Sequence, residues 1–336
     1  MSSVLLNREG AVSAAGVDAG VAAHYGDPAR EQRLLREGLA VVDLSHRGVL
    51  TVTGPDRLSW LHSLTTQHLT GLPAHASAET LVLTPKGHVE HALHLVDDGD
   101  TAWLTVEPGT SQALFAWLDS MRFMLRVEVV DRSDEYAVFG EPVSAEGLPG
   151  EPPTWRDPWP GPVGDTWCYG PEGDHPGGDR AWREVIVPRD SLDAAVGDRP
   201  LAGLWAAEAL RVAAWRPRLG ADTDHRTIPH ELDWLRTAVH LHKGCYRGQE
   251  TVARVRNLGR PPRRVIFCHL DGSGHTLPEP GTPLTLDGRS VGLLGTVARH
   301  IDDGPIALGL VRRNTPVDAV LAAGSTAVAQ TVIVRP

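Results

Sequence analysis

The stretch HKGCYRGQETVARVRNLG, residues 242–259, sets a cysteine between Lys243 and Arg247, brackets it with Gly244 and Gly248, and runs on with charged residues at helical spacing. A helix from about Gly248 to Leu258 is predicted, with Gly259 as its C-terminal cap. A cysteine is nucleophilic as its thiolate, and both neighbouring cations and a helix N-terminus favour that form. Cys245 has both close by in sequence, so the local chemistry points to a working thiol. The two glycines permit a tight backbone or the close approach of a ligand. The competing reading is a small buried residue at a domain junction, a common role for free cysteine.

The remaining composition narrows the classes. The chain has 336 residues, enough for two or three domains with sizeable cores. No apolar run approaches the ~20 residues needed to cross a bilayer, and the N-terminus has no basic segment followed by an apolar core. A cytoplasmic protein without membrane contact is expected. Three cysteines, Cys168, Cys245 and Cys268, make no disulfide framework and no zinc knuckle. His88, His91 and His94 would not share one strand face, so no metal site is expected. A net charge of −10 argues against direct nucleic-acid binding. Of 32 basic residues only Lys86 and Lys243 are lysine, each directly before a glycine. Lysine is a compact point charge and a titratable amine, which arginine is not.

Along the chain, apolar periodicity alternates between two and the helical value. Strands are predicted at 49–53, 80–84, 89–96, 101–106 and 126–131, with helices after the first and the fourth, the second behind a Thr110 cap. This is a βαβββαβ order, close to a ferredoxin-like split with an additional strand. Residues 142–180 hold nine prolines and eight glycines, which predicts a long surface insertion. Strand and helix return in WREVIVPRDSLDAAV, and AGLWAAEALRVAAW is strongly helical. From about Arg263 short strands alternate with turns, Asp287-Gly288 among them, which predicts a small β-barrel. The fold class is α+β, with domains expected at 1–48 plus 132–250, at 49–131 and at 260–336.

KGCYRGQETVAR resembles the signature of the YgfZ family, folate-binding relatives of the glycine-cleavage T-protein, an aminomethyltransferase. HYGD (24–27), VVDLSHRG (41–48) and GLWAAEALRVAAWRPRLGADTDHRTIPHE (203–231) are similar to T-protein segments. The resemblance implies a three-domain ring around a site for tetrahydrofolate or a one-carbon derivative, and an accessory role toward iron-sulfur client enzymes, including those that modify tRNA. It also implies roles for particular residues. Cys245 and Lys243 would carry the chemistry, with Gly244, Tyr246, Arg247, Gly248, Gln249, Glu250 and Arg254 as the supporting motif.

Glu184, in WREVIVP, matches the acid with which T-proteins hold the amino face of the pterin; Glu208, which replaces the T-protein aspartate on the helical stretch AGLWAAEALRVAAW, and Arg211 are the other residues expected to bind the cofactor. A carboxylate accepting adjacent N–H donors suits that task. The run Arg254, Arg256, Arg260, Arg263 and Arg264 would meet the anionic folate tail, RNA or an acidic partner, or form a solvated face. T-proteins carry two adjacent aspartates where this chain has Glu90 and His91, and Ala207 stands where they have arginine. These departures weigh against a folate-dependent aminomethyltransferase or methyltransferase, the alternative reading. A third reading is a non-catalytic client-docking protein.

Overall fold

The computed structural model describes residues 2–171, 173–274 and 276–336. The chain begins with the antiparallel pair β1 (Val12–Ser13) and β2 (Ala22–His24), then α1 (Pro28–Arg36), β3 (Val41–Asp43) and β4 (Gly48–Thr53). Next come α2 (Arg57–Leu64), β5 (Ser77–Leu83), β6 (Val89–Asp97), β7 (Thr101–Val106), α3 (Ser111–Ser120) and β8 (Glu128–Asp131). β9 (Tyr136–Glu141), β10 (Thr154–Arg156), β11 (Arg183–Pro188), α4 (Leu192–Val196), β12 (Leu201–Ala202) and α5 (Leu204–Ala213) follow. After α6 (Leu235–Ala238) and α7 (Gln249–Leu258) come β13 (Arg263–Leu270), β14 (Pro283–Leu286), β15 (Arg289–His300), β16 (Gly304–Arg312), β17 (Leu321–Ala323) and β18 (Thr326–Val332).

From β4 to β8 the predicted βαβββαβ order is realised as a five-stranded antiparallel sheet, in the order β5-β6-β7-β4-β8. Strand residues such as Leu50, Val52, Leu93, Leu95 and Leu104 alternate onto one face and meet Trp60 and Leu61 of α2 and Leu114 and Leu118 of α3. Burial of each such side chain contributes about 1.5–3 kcal/mol. Thr110 does stand at the cap of α3, but its hydroxyl donates to the Glu107 carbonyl at 2.7 Å and leaves the helix N–H groups alone.

A second sheet runs β10-β11-β9-β3-β12, with only the β3–β12 pair parallel. Its register sets Trp155, Glu184, Gly140 and Val42 directly across from one another, so they share a face. That face turns toward the first sheet. Trp155 Nε1 donates to the Ala78 carbonyl at 2.9 Å, and the His94 ring of β6 stacks on the indole at 3.6 Å.

The prediction of a surface insertion over 142–180 is corrected here. β10 lies within it, and Trp155, Trp159 and Tyr169 are buried; Glu172 is outside the described residues. Proline and glycine restrict strand pairing in this segment to the three residues of β10, and its aromatic side chains anchor it in the core, as with Trp159 Nε1 donating to the Ala214 carbonyl at 3.0 Å.

The last six strands close into a barrel, β13-β16-β15-β14-β17-β18, around Ile266, Cys268, Leu284, Leu294, Ala307 and Val311. Asp287 and Gly288, both at positive φ (48° and 75°), join β14 to β15 as the sequence predicts. Helix α5 packs against α1 on one side and β15 on the other, which ties the barrel to the second sheet. Among the described residues no helix is long and apolar enough to cross a membrane.

Candidate functional site

Between the two sheets and α5 lies a partly open cavity of about 70 Å3. Its wall carries Arg47, Arg180, Arg211, Arg216 and Arg218 together with Glu79, Glu107, Asp157, Glu184 and Glu208. Charges this deep are tolerated only when paired, and they are. Arg216 joins Glu79 (2.8 Å) to Asp157 (3.2 Å), and Arg180 donates to Asp157 at 3.0 Å. Arg218 reaches Glu107 (2.8 Å) and Asp18 (2.6 Å), and Arg211 reaches Glu208 and Asp222, both at 2.7 Å.

Glu184 lies in the middle of its sheet, 2% exposed. A Cβ at Gly140, its neighbour on β9, would fall 2.2 Å from the Trp182 ring, so glycine there lets the indole fold over the carboxylate, with Nε1 3.5 Å from Oε1. Arg47 Nη1 donates to both carboxylate oxygens at 2.8 Å. His94 Nδ1 lies 2.9 Å from Oε2 and 3.0 Å from Arg47 Nη1, donating to the first or accepting from the second according to its tautomer, and Thr105 Oγ1 donates to Oε2 at 3.3 Å. Burial pushes the Glu184 carboxyl up, but Arg47 and then His94 outweigh it and hold the group well below the usual carboxylate range. Glu208 behaves alike: burial raises it, while Arg211 and then Arg218 bring it down to about 2. Both acids are anions at neutral pH.

Outside this cavity a cleft of about 1,440 Å3 runs between α1, α5 and the barrel. Glu208 and Arg218 line both spaces, so they form the neck between them. Trp205, more than half exposed and packed on the His24 ring at 4.9 Å, stands in the cleft wall.

The Cys245 loop is elsewhere. Among the described residues, none from 242 to 254 lines either space. Helix α7 begins and ends as predicted, with Gly248 and Gly259 at positive φ. A Cβ at Gly248 would lie 2.6 Å from the Thr84 carbonyl oxygen, so the loop is pressed against the β5–β6 turn. Cys245 itself is exposed, whereas Cys268 is fully buried and burial pushes its thiol up to about 12.

The two cations expected to hold a Cys245 thiolate are committed elsewhere. Lys243, 7% exposed, donates through Nζ to the carbonyls of His62 and Thr65 and sits 5.0 Å from the Tyr246 ring. Arg247 pairs with Glu90 at 2.9 Å and lies over the Trp117 ring. Within the loop, Gln249 Oε1 accepts from the Tyr246 N–H at 3.1 Å, while Glu250 and Arg254 face solvent.

Burial lowers the Lys243 pKa to about 8, from 10.5. The folded protein therefore releases this proton before the unfolded chain does, and stability rises with pH between those values. Lys243→Met is expected to flatten that rise, on the order of 2–3 kcal/mol across the window, as read by melting temperatures from pH 7 to 10.5.

The position of the T-protein aspartate pair also changes character. Glu90 is tied to Arg247 on the surface, and His91 is held neutral by burial, its pKa near 4. The arginine run does not form one face either. Arg263 pairs with Asp224 and Glu231, Arg264 is fully buried with Nη2 on the Thr315 carbonyl, and Arg256 lies over Trp167. Sequence reasoning places Glu184, Glu208 and Arg211 together, and all three line the inner cavity. It misses Arg47, His94, Glu107, Arg216 and Arg218. Arg47 lies within the quoted VVDLSHRG and is the one that a charged residue in a turn before a strand could have flagged.

The sheets and the closed barrel define the class of fold. The crystal structure of glycine cleavage system aminomethyltransferase T from Bartonella henselae superposes with a TM-score of 0.75 at 18% identity, covering 99% of this chain and 95% of that one, a likeness that shows the fold alone. Residues 6–140 match the GCVT N-terminal domain. The family match thus covers the N-terminal part of the chain, while the likeness of fold runs over nearly all of it.

A chloroplastic protein of Arabidopsis thaliana that carries a transferase name is 29% identical over 302 residues, 82% of this chain and 66% of its own length. The tRNA-modifying protein YgfZ of Cronobacter sakazakii is 32% identical over 110 residues, 32% of this chain and 33% of that protein.

Proposed function

We propose that the chain binds tetrahydrofolate through its inner cavity and handles a one-carbon unit carried on it, as a transferase of the aminomethyltransferase superfamily. The observation that carries this reading is Glu184, a buried, ionised carboxylate at the centre of the cavity wall. It suits the adjacent N–H donors of a pteridine's amino edge. The same wall holds two buried donors without partners, Arg216 Nη1 and Trp234 Nε1, which suit the ring's acceptors.

The donor set fits the group, although ligand sites commonly span ~300–1,000 Å3 and this cavity is smaller, so side chains must move to admit it. Bound folate supplies a nitrogen carrier for the one-carbon unit. Glu208 and Arg218 offer an acceptor and a donor side by side at the neck, and the outer cleft has room for the rest of the ligand.

A second reading is supported by the Cys245 loop. It presents an exposed thiol apart from the cavity, and where T-proteins have an aspartate pair the chain has the surface pair Glu90–Arg247 and a half-buried, neutral His91. These features favour an accessory factor toward iron-sulfur client enzymes, including those that modify tRNA, with the loop as thiol or docking surface.

One substitution separates the readings. Cys245→Ser is expected to leave the calorimetric affinity for tetrahydrofolate unchanged, within about twofold. In a strain lacking the native protein, it would lower the activity of an iron-sulfur tRNA-modifying enzyme only if the accessory reading holds. Loss of folate affinity in the serine variant would mean that loop and cavity form a single site.

A further inference from the structure

We infer that Arg47 is a latch on the inner cavity: its guanidinium holds Glu184, and a pteridine-type N–H edge must displace it to bind. The inference rests on the folate reading above. Arg47 closes the turn between β3 and β4, its backbone N–H donating to the Leu44 carbonyl at 2.9 Å. From there Nη1 straddles both oxygens of Glu184 at 2.8 Å, while Nη2 donates to Glu107 at 2.9 Å. The guanidinium therefore stands where a ligand's donors would have to be.

Three features make this contact exchangeable. A guanidinium and a 2-amino-4-oxopyrimidine edge both present planar N–H groups to a carboxylate, so the ligand takes over the N–H contacts, though not the positive charge, of the side chain it displaces. Arg47 keeps a second anchor when Glu184 is taken, because Glu107 accepts it independently. Glu184 also keeps the Thr105 hydroxyl as a donor, with His94 Nδ1 2.9 Å away, while the exchange occurs. The cavity, about 70 Å3 with Arg47 in place, is too small for a two-ring heterocycle, so withdrawal of this side chain is what admits one. The unpartnered N–H groups of Arg216 and Trp234 on the same wall complement the acceptors that such a ring carries and a guanidinium lacks.

The test is calorimetric titration of the full chain with tetrahydrofolate, comparing the parent with Arg47→Met, Arg47→Lys and Glu184→Gln, each confirmed as folded by its melting transition. Removing the competing guanidinium is expected to tighten binding tenfold or more in Arg47→Met. Arg47→Lys, which has one nitrogen for two carboxylates, should tighten it by a smaller factor. If Arg47→Met does not fold, Arg47→Lys decides alone. Glu184→Gln should weaken binding. Unchanged or weaker binding in the Arg47 variants, with Glu184→Gln weakened, overturns the latch and leaves the folate reading standing. Absence of binding in the parent and in both Arg47 variants overturns the two together.

Discussion

Glu184→Gln is expected to lower tetrahydrofolate affinity by about 1.5–3 kcal/mol, roughly 10- to 150-fold. The carboxylate is ionised and presents both oxygens to one position on the cavity wall. Glutamine keeps one acceptor and replaces the other with a donor, which faces a ligand donor and repels it. Glu90→Gln supplies the control. Glu90 pairs with Arg247 and lines neither the cavity nor the cleft, so its affinity should match the parent's. Calorimetry on the three proteins checks this, and equal affinities for Glu184→Gln and the parent would mean that the pterin site has been misplaced.

The second large effect concerns stability. Trp155→Ala should cost about 3–5 kcal/mol, the usual range for truncating a buried aromatic, measured by urea unfolding. The indole is fully buried, stacks against His94 and donates to the Ala78 carbonyl, so it clamps the two sheets together beside Glu184. Trp167→Ala, in the same proline-rich segment but half exposed, should cost well under 1 kcal/mol. Equal, small effects would mean that the segment is the peripheral insertion its composition suggests.

How much was legible in advance depended on how local the signal is. The βαβββαβ order was readable because strand alternation and helical periodicity are properties of neighbouring residues, and the hairpin at Asp287-Gly288 because a two-residue turn carries its own backbone requirement. Helix α7 ended where Gly259 says it must. The segment 142–180 misled because proline and glycine report the absence of regular pairing and say nothing of burial, which Trp155, Trp159 and Tyr169 decide.

In the site, Glu184 was found through its resemblance to a known acid, but its partners were not. Arg47 lies 137 residues from Glu184, Arg218 lies 111 from Glu107, and Arg216 lies 137 from Glu79. No spacing rule links residues that only the tertiary fold brings together. The partners expected for Cys245 were misread for the complementary reason. Adjacency in sequence put two cations beside the thiol, but the loop aims Lys243 inward at backbone carbonyls and Arg247 across to Glu90.

The central claim, that folate binds against Glu184 in the inner cavity, is tested most directly by amide hydrogen exchange on the unmodified protein with and without tetrahydrofolate. The account predicts slower exchange in the turn at 45–48, in β6 around His94 and in β11 around Glu184, with the 242–254 loop unaffected. No change at these three places, or protection confined to the barrel side of the outer cleft at 290–301, would contradict it.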